Sequence, residues 1–229
     1  MTPLTVVFDL DGTLIDTAPD LIDTLNVILT REGLSPVDYA AARAMIGGGA
    51  RRMIEHGLQS EGRTVPPAQV DRMFVDFIAH YSDHIADRSR PFPGLGPALD
   101  SLSAQPCHLA VCTNKLEGLS RRLLDALGLA DRFIAICGQD TFGVQKPDPE
   151  VLRQTVRAAG GSLSRAIMVG DSGTDIATAR AAGVPVIAVD FGYSETPIEK
   201  LRADRLIGNF DQLQAAISEL AAGLSGSPP

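Results

Sequence analysis

The 229-residue chain has few cysteines, and their placement excludes two kinds of protein. Its three cysteines, Cys107, Cys112 and Cys137, stand in separate apolar stretches, without the close spacing of a zinc site. The N-terminus lacks the basic region and apolar segment of a secretion signal, and a small, odd number of cysteines is typical of a reducing compartment. We therefore expect buried free thiols in a cytoplasmic protein.

Basic residues and long apolar runs are also scarce. Twenty Lys and Arg residues oppose 28 Asp and Glu residues, which gives a formal net charge of -8. Nucleic acids and anionic membranes are bound by clustered Lys and Arg. No apolar run approaches the roughly 20 residues that a membrane-spanning helix needs. The composition therefore predicts neither a nucleic-acid nor a membrane partner, and its 45% hydrophobic content is ordinary for a folded protein.

Short runs rich in Val, Ile and Ala alternate with segments of helical spacing. The strand runs are residues 4–8, 108–112, 133–137, 166–169 and 186–189, with a late short strand near 206–207. The helical segments are residues 95–103, 118–127, 149–159, 174–182 and 211–221. Alternation of this kind predicts an α/β fold with a doubly wound parallel sheet, of the Rossmann type.

Residues 17–90 separate the first strand from the second, a gap about three times longer than a crossover requires. Leu21, Leu25 and Ile28 mark one amphipathic helix there, and Met73 and Phe77 belong to another. The pattern predicts a catalytic core of residues 1–16 and 91–224, an inserted α-helical cap of residues 17–90, and a disordered tail at 225–229. We expect the cap to lie over the carboxyl end of the first strand.

The most informative block is residues 6–16, where a short apolar strand runs directly into two carboxylates, Asp9 and Asp11. Gly12 supplies the backbone freedom to turn immediately afterwards. Aspartate before glycine is common in simple turns, which is the alternative interpretation. Two carboxylates in one small space repel each other, so they need a cation, a shared proton or a cationic partner. A divalent metal is the preferred interpretation.

Polar residues also follow the later strands, where an open parallel sheet binds its ligands. They are Thr113, Asn114 and Lys115 after the second strand, Lys146 in the loop after the third, and Asp171 and Asp175 after the fourth. A surface lysine, a helix cap or an ordinary strand-end threonine would explain each one singly. Together they suit a phosphate group and a magnesium ion, since magnesium prefers oxygen ligands and no His or Cys cluster favours a softer metal.

A glycine run, residues 47–49, precedes a helix within the insertion. It is either a flexible loop or a helix N-terminus whose free amides bind a carboxylate or phosphate. Arg51 could add a bidentate contact to the same anion. We expect Gly48, Gly49 and Arg51 to select the substrate.

Residues 9–17, read together with Thr113 and the Lys146-Pro147 pair, resemble the signature motifs of the haloacid dehalogenase superfamily, most of whose members are phosphatases. A closer likeness, to the bacterial phosphoglycolate phosphatases, covers nearly the whole chain. The segments that carry it are residues 47–50, 90–94, 111–115 and 192–194 ahead of 209–211.

The resemblance implies a role for each matching residue. Asp9 would be the nucleophile, Asp11 the general acid and base, and Thr113 and Lys146 the groups that stabilise the transferring phosphoryl. Asp9, Asp11 and Asp171 would bind Mg²⁺, with Asp175 either completing the shell or holding its waters. Gly12, Thr13, Asn114 and Lys115 would contact the substrate.

The implied reaction is hydrolysis of 2-phosphoglycolate to glycolate and phosphate through an aspartyl-phosphate. A sugar phosphate, a phosphorylated amino sugar acid or pyrophosphate would suit the same motifs. A phosphosugar mutase or a non-catalytic binding module is a more distant alternative. The sequence leaves the oligomeric state open between monomer and homodimer.

Overall fold

The computed structural model describes residues 2–43, 45–194 and 196–224, so the tail predicted at 225–229 lies outside the described residues. Within them the strands are β1 (Leu4–Phe8), β2 (Ile15–Asp16), β3 (Arg90–Pro91), β4 (Cys107–Cys112), β5 (Ala135–Cys137), β6 (Ala166–Gly170), β7 (Val186–Val189) and β8 (Arg205–Ile207). Six of them form one sheet in the order β5-β4-β1-β6-β7-β8, and every neighbouring pair is parallel. The doubly wound α/β fold is confirmed.

Helices cover both faces of this sheet and fill the segment between β2 and β3. The helices in the described chain are α1 (Ala18–Arg31), α2 (Tyr39–Arg43), α3 (Ala50–Ser60), α4 (Pro67–Asp83), α5 (Leu95–Ser103), α6 (Glu117–Ala126), α7 (Pro149–Ala158), α8 (Gly173–Ala182) and α9 (Leu213–Leu224). None of these helices is long and apolar enough to cross a membrane.

The alternation of side chains along β1 divides the core between two faces. Val6 and Phe8 pack into one buried cluster, and Val7 packs into a second cluster on the opposite face. A parallel sheet buried on both faces needs apolar residues at every position, which explains the near-continuous apolar run of β1. Cys112 and Cys137 are buried free thiols, whereas Cys107 is only partly buried.

The helices α1 to α4 leave and rejoin the core through a narrow neck. Strands β2 and β3 pair in antiparallel fashion, with Asp16 opposite Arg90. Beside them the buried carboxylate of Asp20 accepts hydrogen bonds from Arg88 N at 3.0 and 3.1 Å, from Ser89 N at 2.8 Å and from Ser89 Oγ at 2.6 Å. One side chain of α1 therefore fixes the returning chain.

Candidate active site

The side chains predicted from strand ends do meet at the carboxyl edge of the sheet. Asp9 follows β1, and its amide donates to Val169 O of β6 at 2.9 Å. Thr113 follows β4, and its amide donates to Cys137 O of β5 at 3.0 Å. Because the pairing continues one residue past each strand, both residues are held by the sheet rather than by a free loop.

Three buried carboxylates and one buried ammonium lie together at this edge. Asp9, Asp171 and Asp175 each offer an oxygen atom within 4.8 Å of the others. Lys146 Nζ lies 2.8 Å from Asp9 Oδ1 and 2.6 Å from Asp175 Oδ1. The contact between Lys146 Nζ and Asp9 Oδ1 is an ion pair without hydrogen-bond geometry. This buried oxygen of Asp9 accepts no hydrogen bond from the described residues. The single positive charge of Lys146 faces three acidic groups, so a further cation would offset the remaining negative charge.

Burial dominates the electrostatics of the acidic groups. It raises the pKa of Asp9 to about 6, although Lys146 opposes the shift. Burial, followed by the charges of Asp175 and Asp9, raises the pKa of Asp171 to about 8. For Lys146 burial lowers the pKa, but the carboxylates of Asp175 and Asp9 outweigh it and hold the pKa above its usual value. Without a metal, Asp171 therefore retains a proton near neutral pH.

The surroundings of Asp171 hold its carboxylate in one orientation. Thr13 Oγ1 donates to Oδ1 at 3.0 Å, and the amide of Tyr193 donates to Oδ2 at 2.7 Å. Gly12 passes so close that a Cβ there would lie 2.4 Å from Asp171 Oδ2, so no larger residue fits. A fixed set of carboxylate oxygens, including an Asp9 oxygen that accepts no hydrogen bond from the described residues, fits a hard divalent cation.

Asp175 has both oxygens engaged. Its Oδ2 accepts from the amide and hydroxyl of Ser172 at 3.1 and 2.6 Å, while Ser172 Oγ accepts from the Asp175 amide at 3.3 Å. This capping box starts α8, and the other oxygen meets Lys146. Asp175 thus joins the helix start to the acidic cluster.

Asp11 lies outside this acidic cluster. Its two carboxylate oxygens accept from Lys115 Nζ at 3.0 and 3.1 Å. Burial lowers the pKa of Lys115, but Asp11 and the nearby Tyr81 outweigh it and keep the pKa above its usual value. The same ammonium lies 4.4 Å from the ring centroid of Tyr81 in α4. The insertion therefore contacts the second carboxylate of the sequence motif through Lys115.

Asn114 connects three segments around the site. Its Oδ1 accepts from Lys146 N at 2.9 Å, and its Nδ2 donates to Lys146 O at 3.1 Å and to Gly47 O at 3.3 Å. These bonds fix the loop that carries Lys146 and tie it to the glycine run of the insertion. Asn114 therefore positions the loop that carries Lys146, which its place after β4 alone does not reveal.

A cavity lies between the sheet edge and the insertion. Its floor contains Asp9, Asp11, Thr113 and Asn114. The insertion supplies a mainly apolar wall, which is made by Leu21, Ile46, Met53, Phe74, Phe77, Ile78 and Tyr81. A small substrate seated on Asp9 would be enclosed by these side chains.

The residues predicted for substrate selection lie in different places. Gly49, with a φ of 85°, precedes α3 and lines the cavity, whereas Gly48 packs against Arg52. Arg51 is about half exposed, pairs with Asp71 at 2.7 Å and lines a neighbouring cavity with Asn114 and Lys146. Gly49 and Ala50, at the start of α3, line the cavity that contains Asp9, whereas Arg51 does not.

Tyr193 is the principal residue whose role the sequence did not reveal. Its amide holds Asp171, and its hydroxyl accepts from the amide of Ala18 at 3.0 Å and donates to Asp16. The one signal of this role in the sequence is Gly192. A Cβ atom added at Gly192 would lie 2.2 Å from the Cβ atom of Asp171. A glycine that precedes a tyrosine thus marks a close approach to the acidic cluster.

Comparison with known proteins agrees with this geometry. A relative from Mesorhizobium japonicum named "Phosphoglycolate phosphatase" is 49% identical over 93% of this chain and 94% of its own length. A relative of the same name from Caulobacter vibrioides is 45% identical over 95% of this chain and 92% of its own length. The crystal structure of a "predicted phosphoglycolate phosphatase" from Haemophilus somnus 129PT superposes with a TM-score of 0.87 at 26% identity, covering 94% of this chain and 98% of the other.

The family model described as "Haloacid dehalogenase-like hydrolase" matches residues 6–189, which include both carboxylates of the first motif, Lys146 and the acidic pair after β6. The match spans most of the chain, and the fold and strand-end chemistry agree with it. The chain belongs to the haloacid dehalogenase-like hydrolase family.

Proposed function

We propose that this protein is a magnesium-dependent phosphomonoester hydrolase whose substrate is 2-phosphoglycolate. The observation that carries the proposal is the buried Asp9 carboxylate, which lies between Lys146 and two further acids at the floor of a small cavity. The names of the relatives from Mesorhizobium japonicum and Caulobacter vibrioides support the choice of substrate. The products would be glycolate and inorganic phosphate.

In the proposed reaction, Asp9 attacks the phosphorus atom and the bond from phosphorus to the glycolate oxygen breaks. Asp11 gives its proton to that oxygen, so glycolate leaves as an alcohol. Asp11 then takes a proton from water, which attacks the aspartyl-phosphate and releases phosphate from Asp9. Lys146 and Thr113 stabilise the charge on the phosphoryl oxygens during both transfers.

The proposed metal site comprises Asp9, Asp11, Asp171 and Asp175. Asp11 is included, although its carboxylate pairs with Lys115 in this structure. Asp175 binds either directly or through water, since both its oxygens already have partners. Bound Mg²⁺ would supply positive charge that offsets the carboxylates and the phosphate.

The insertion of residues 17–90 is proposed as a cap that excludes bulk water from the cavity. Gly12 and Thr13 fix Asp171, and Asn114 and Lys115 position the substrate on the floor. The free amides at the start of α3, near Gly48 and Gly49, are proposed to face the phosphate group of the substrate. Arg51 would join them only after leaving Asp71.

We propose a cytoplasmic enzyme that acts on a small phosphorylated metabolite, as a monomer or homodimer. A substrate of this size fits a cavity closed by the apolar wall of the insertion. The excess of acidic residues gives no support for a nucleic-acid partner.

The test is release of inorganic phosphate in the presence of Mg²⁺ from 2-phosphoglycolate, sugar phosphates, a phosphorylated amino sugar acid and pyrophosphate. We expect a clear preference for 2-phosphoglycolate, and Asp9→Asn should abolish release while leaving the circular dichroism spectrum unchanged. If the enzyme prefers another ester, that ester replaces 2-phosphoglycolate as the assigned substrate. Phosphate retained on a hexose would indicate a mutase, and binding without release would indicate a binding module.

A further inference from the structure

The cavity has an uneven distribution of charge. Among its described lining residues, Lys115 is the single cation, and it lies on the floor beside Asp11. The wall from the insertion is mainly apolar, and Arg51 pairs with Asp71 and lines a neighbouring cavity instead of this one. If the phosphate of a substrate lies at Asp9, a second anionic group of that substrate can pair with one ammonium in this cavity, that of Lys115.

Tyr81 presents an unused donor next to that ammonium. Its hydroxyl is buried and makes no hydrogen bond with any described residue. Lys115 Nζ lies over the ring, 4.4 Å from its centroid, and an ammonium can only donate, so the hydroxyl proton of Tyr81 has no acceptor among the described residues. A buried hydroxyl without a partner is costly, so a ligand that accepts from it gains a favourable contact. Both side chains line the same cavity.

Lys115 is already engaged by Asp11. Both carboxylate oxygens of Asp11 accept from Lys115 Nζ, at 3.0 and 3.1 Å. A carboxylate on the substrate would therefore share this ammonium with Asp11.

We propose that the Lys115 ammonium and the Tyr81 hydroxyl together bind the carboxylate of a 2-phosphooxy carboxylate substrate. The inference rests on the proposed function and deepens it. It places recognition of the carboxylate where Lys115, which follows β4, meets Tyr81 of α4.

The experiment compares 2-phosphoglycolate with 2-hydroxyethyl phosphate, which has an alcohol in place of the carboxylate and is otherwise the same size. Lys115→Met removes the charge and keeps much of the side-chain volume, and Tyr81→Phe removes only the hydroxyl. Arg51→Met is the matched cation control at the edge of the cavity. Both kcat and kcat/KM are measured for each ester.

In the wild type, 2-phosphoglycolate should exceed 2-hydroxyethyl phosphate in kcat/KM. Lys115→Met should reduce the kcat/KM ratio of the two esters by about 10- to 100-fold, the range for a charged hydrogen bond, and Tyr81→Phe by about tenfold. Equal losses on both esters would overturn the proposal and leave Lys115 a structural role. A preference that survives in Lys115→Met and collapses in Arg51→Met would place the receptor at α3.

A binding measurement separates this inference from the proposed function. Calorimetric titration of Asp9→Asn and of Asp9→Asn with Lys115→Met needs no turnover. We expect the first to bind 2-phosphoglycolate at least about tenfold more tightly than 2-hydroxyethyl phosphate, and the second to lose that preference. Equal binding of both esters by Asp9→Asn would refute the carboxylate receptor, whereas absence of phosphate release by the wild type would refute only the hydrolase.

Discussion

At the scale of single residues, the site depends on charges that the fold holds close together at a cost. Asp9, Asp171 and Asp175 are all buried, and Lys146 contacts only the first and third of them. Asp171 is left with neutral donors, Thr13 Oγ1 and the Tyr193 amide. It is therefore the acid of this cluster that has no ion pair with a described residue.

The pH dependence of stability should show this. The pKa values of Asp9 and Asp171 are raised from 3.8 to about 6 and about 8. Protons bound more tightly by the folded state stabilise it at low pH, and that stability is lost as the pH rises through these values. In EDTA, Asp171→Asn should gain at least about 3 °C in Tm relative to the wild type between about pH 5 and about pH 8.

Differential scanning fluorimetry across this pH range measures the effect. Asp76→Asn, on the exposed face of α4, is the control and should follow the wild type. Mg²⁺ should raise the Tm of the wild type and have little effect on Asp171→Asn. A constant Tm difference between Asp171→Asn and the wild type at all pH values would contradict the raised pKa of Asp171.

Sequence reasoning located residues whose position follows from a strand end, and missed those whose role needs a distant partner. Asp9, Lys146 and Asp171 lie where the rule for parallel sheets places them. The pairing of Asp11 with Lys115 joins residues 104 positions apart, and the Tyr193 amide reaches Asp171 from another loop. Such contacts depend on tertiary packing, which no local pattern encodes.

At the scale of elements, the neck is the joint between the insertion and the core. Two-residue strands are too short to show a periodic pattern, so β2 and β3 were not predicted. The long apolar strands were predicted from their composition. Strand β5 begins at Ala135 and not at residue 133, because the amide of Phe133 donates to the 3-10 turn at Ala130–Arg132.

The Asp20 carboxylate should contribute strongly to stability. Asp20→Ala leaves the amides of Arg88 and Ser89 and the Ser89 hydroxyl without their acceptor, which costs about 3 kcal/mol of unfolding free energy. The control is Asp23→Ala, which removes an exposed pair with Arg88 and should cost no more than about 1 kcal/mol. Urea denaturation followed by circular dichroism measures both, and equal losses would show that burial of the carboxylate adds nothing.

At the scale of the whole molecule, one apolar cluster joins the insertion to the core. Phe8 of the central strand and Met53 and Phe77 of the insertion belong to the same buried set. Side chains that share a contiguous core lose their packing together when either part unfolds. The insertion is therefore distinct along the chain but continuous with the core in its packing.

We expect a single unfolding transition in differential scanning calorimetry, with equal calorimetric and van't Hoff enthalpies. Met53→Ala, within the insertion, should lower the temperature of that one transition, because a cavity in the shared cluster costs about 2 to 5 kcal/mol. Two resolved transitions, with only one of them shifted by Met53→Ala, would show that the insertion and the core unfold separately.

The antiparallel neck also bears on how proteins of this architecture could diversify. Asp16 and Arg90 face each other as strand partners, a separation of only about 5 Å between Cα atoms. The pairing of β2 with β3 therefore fixes where the intervening chain must start and finish. A different helical bundle that still covered the apolar cluster around Phe8 could be exchanged at this junction with its two ends in the same place, so the two parts could change separately in evolution.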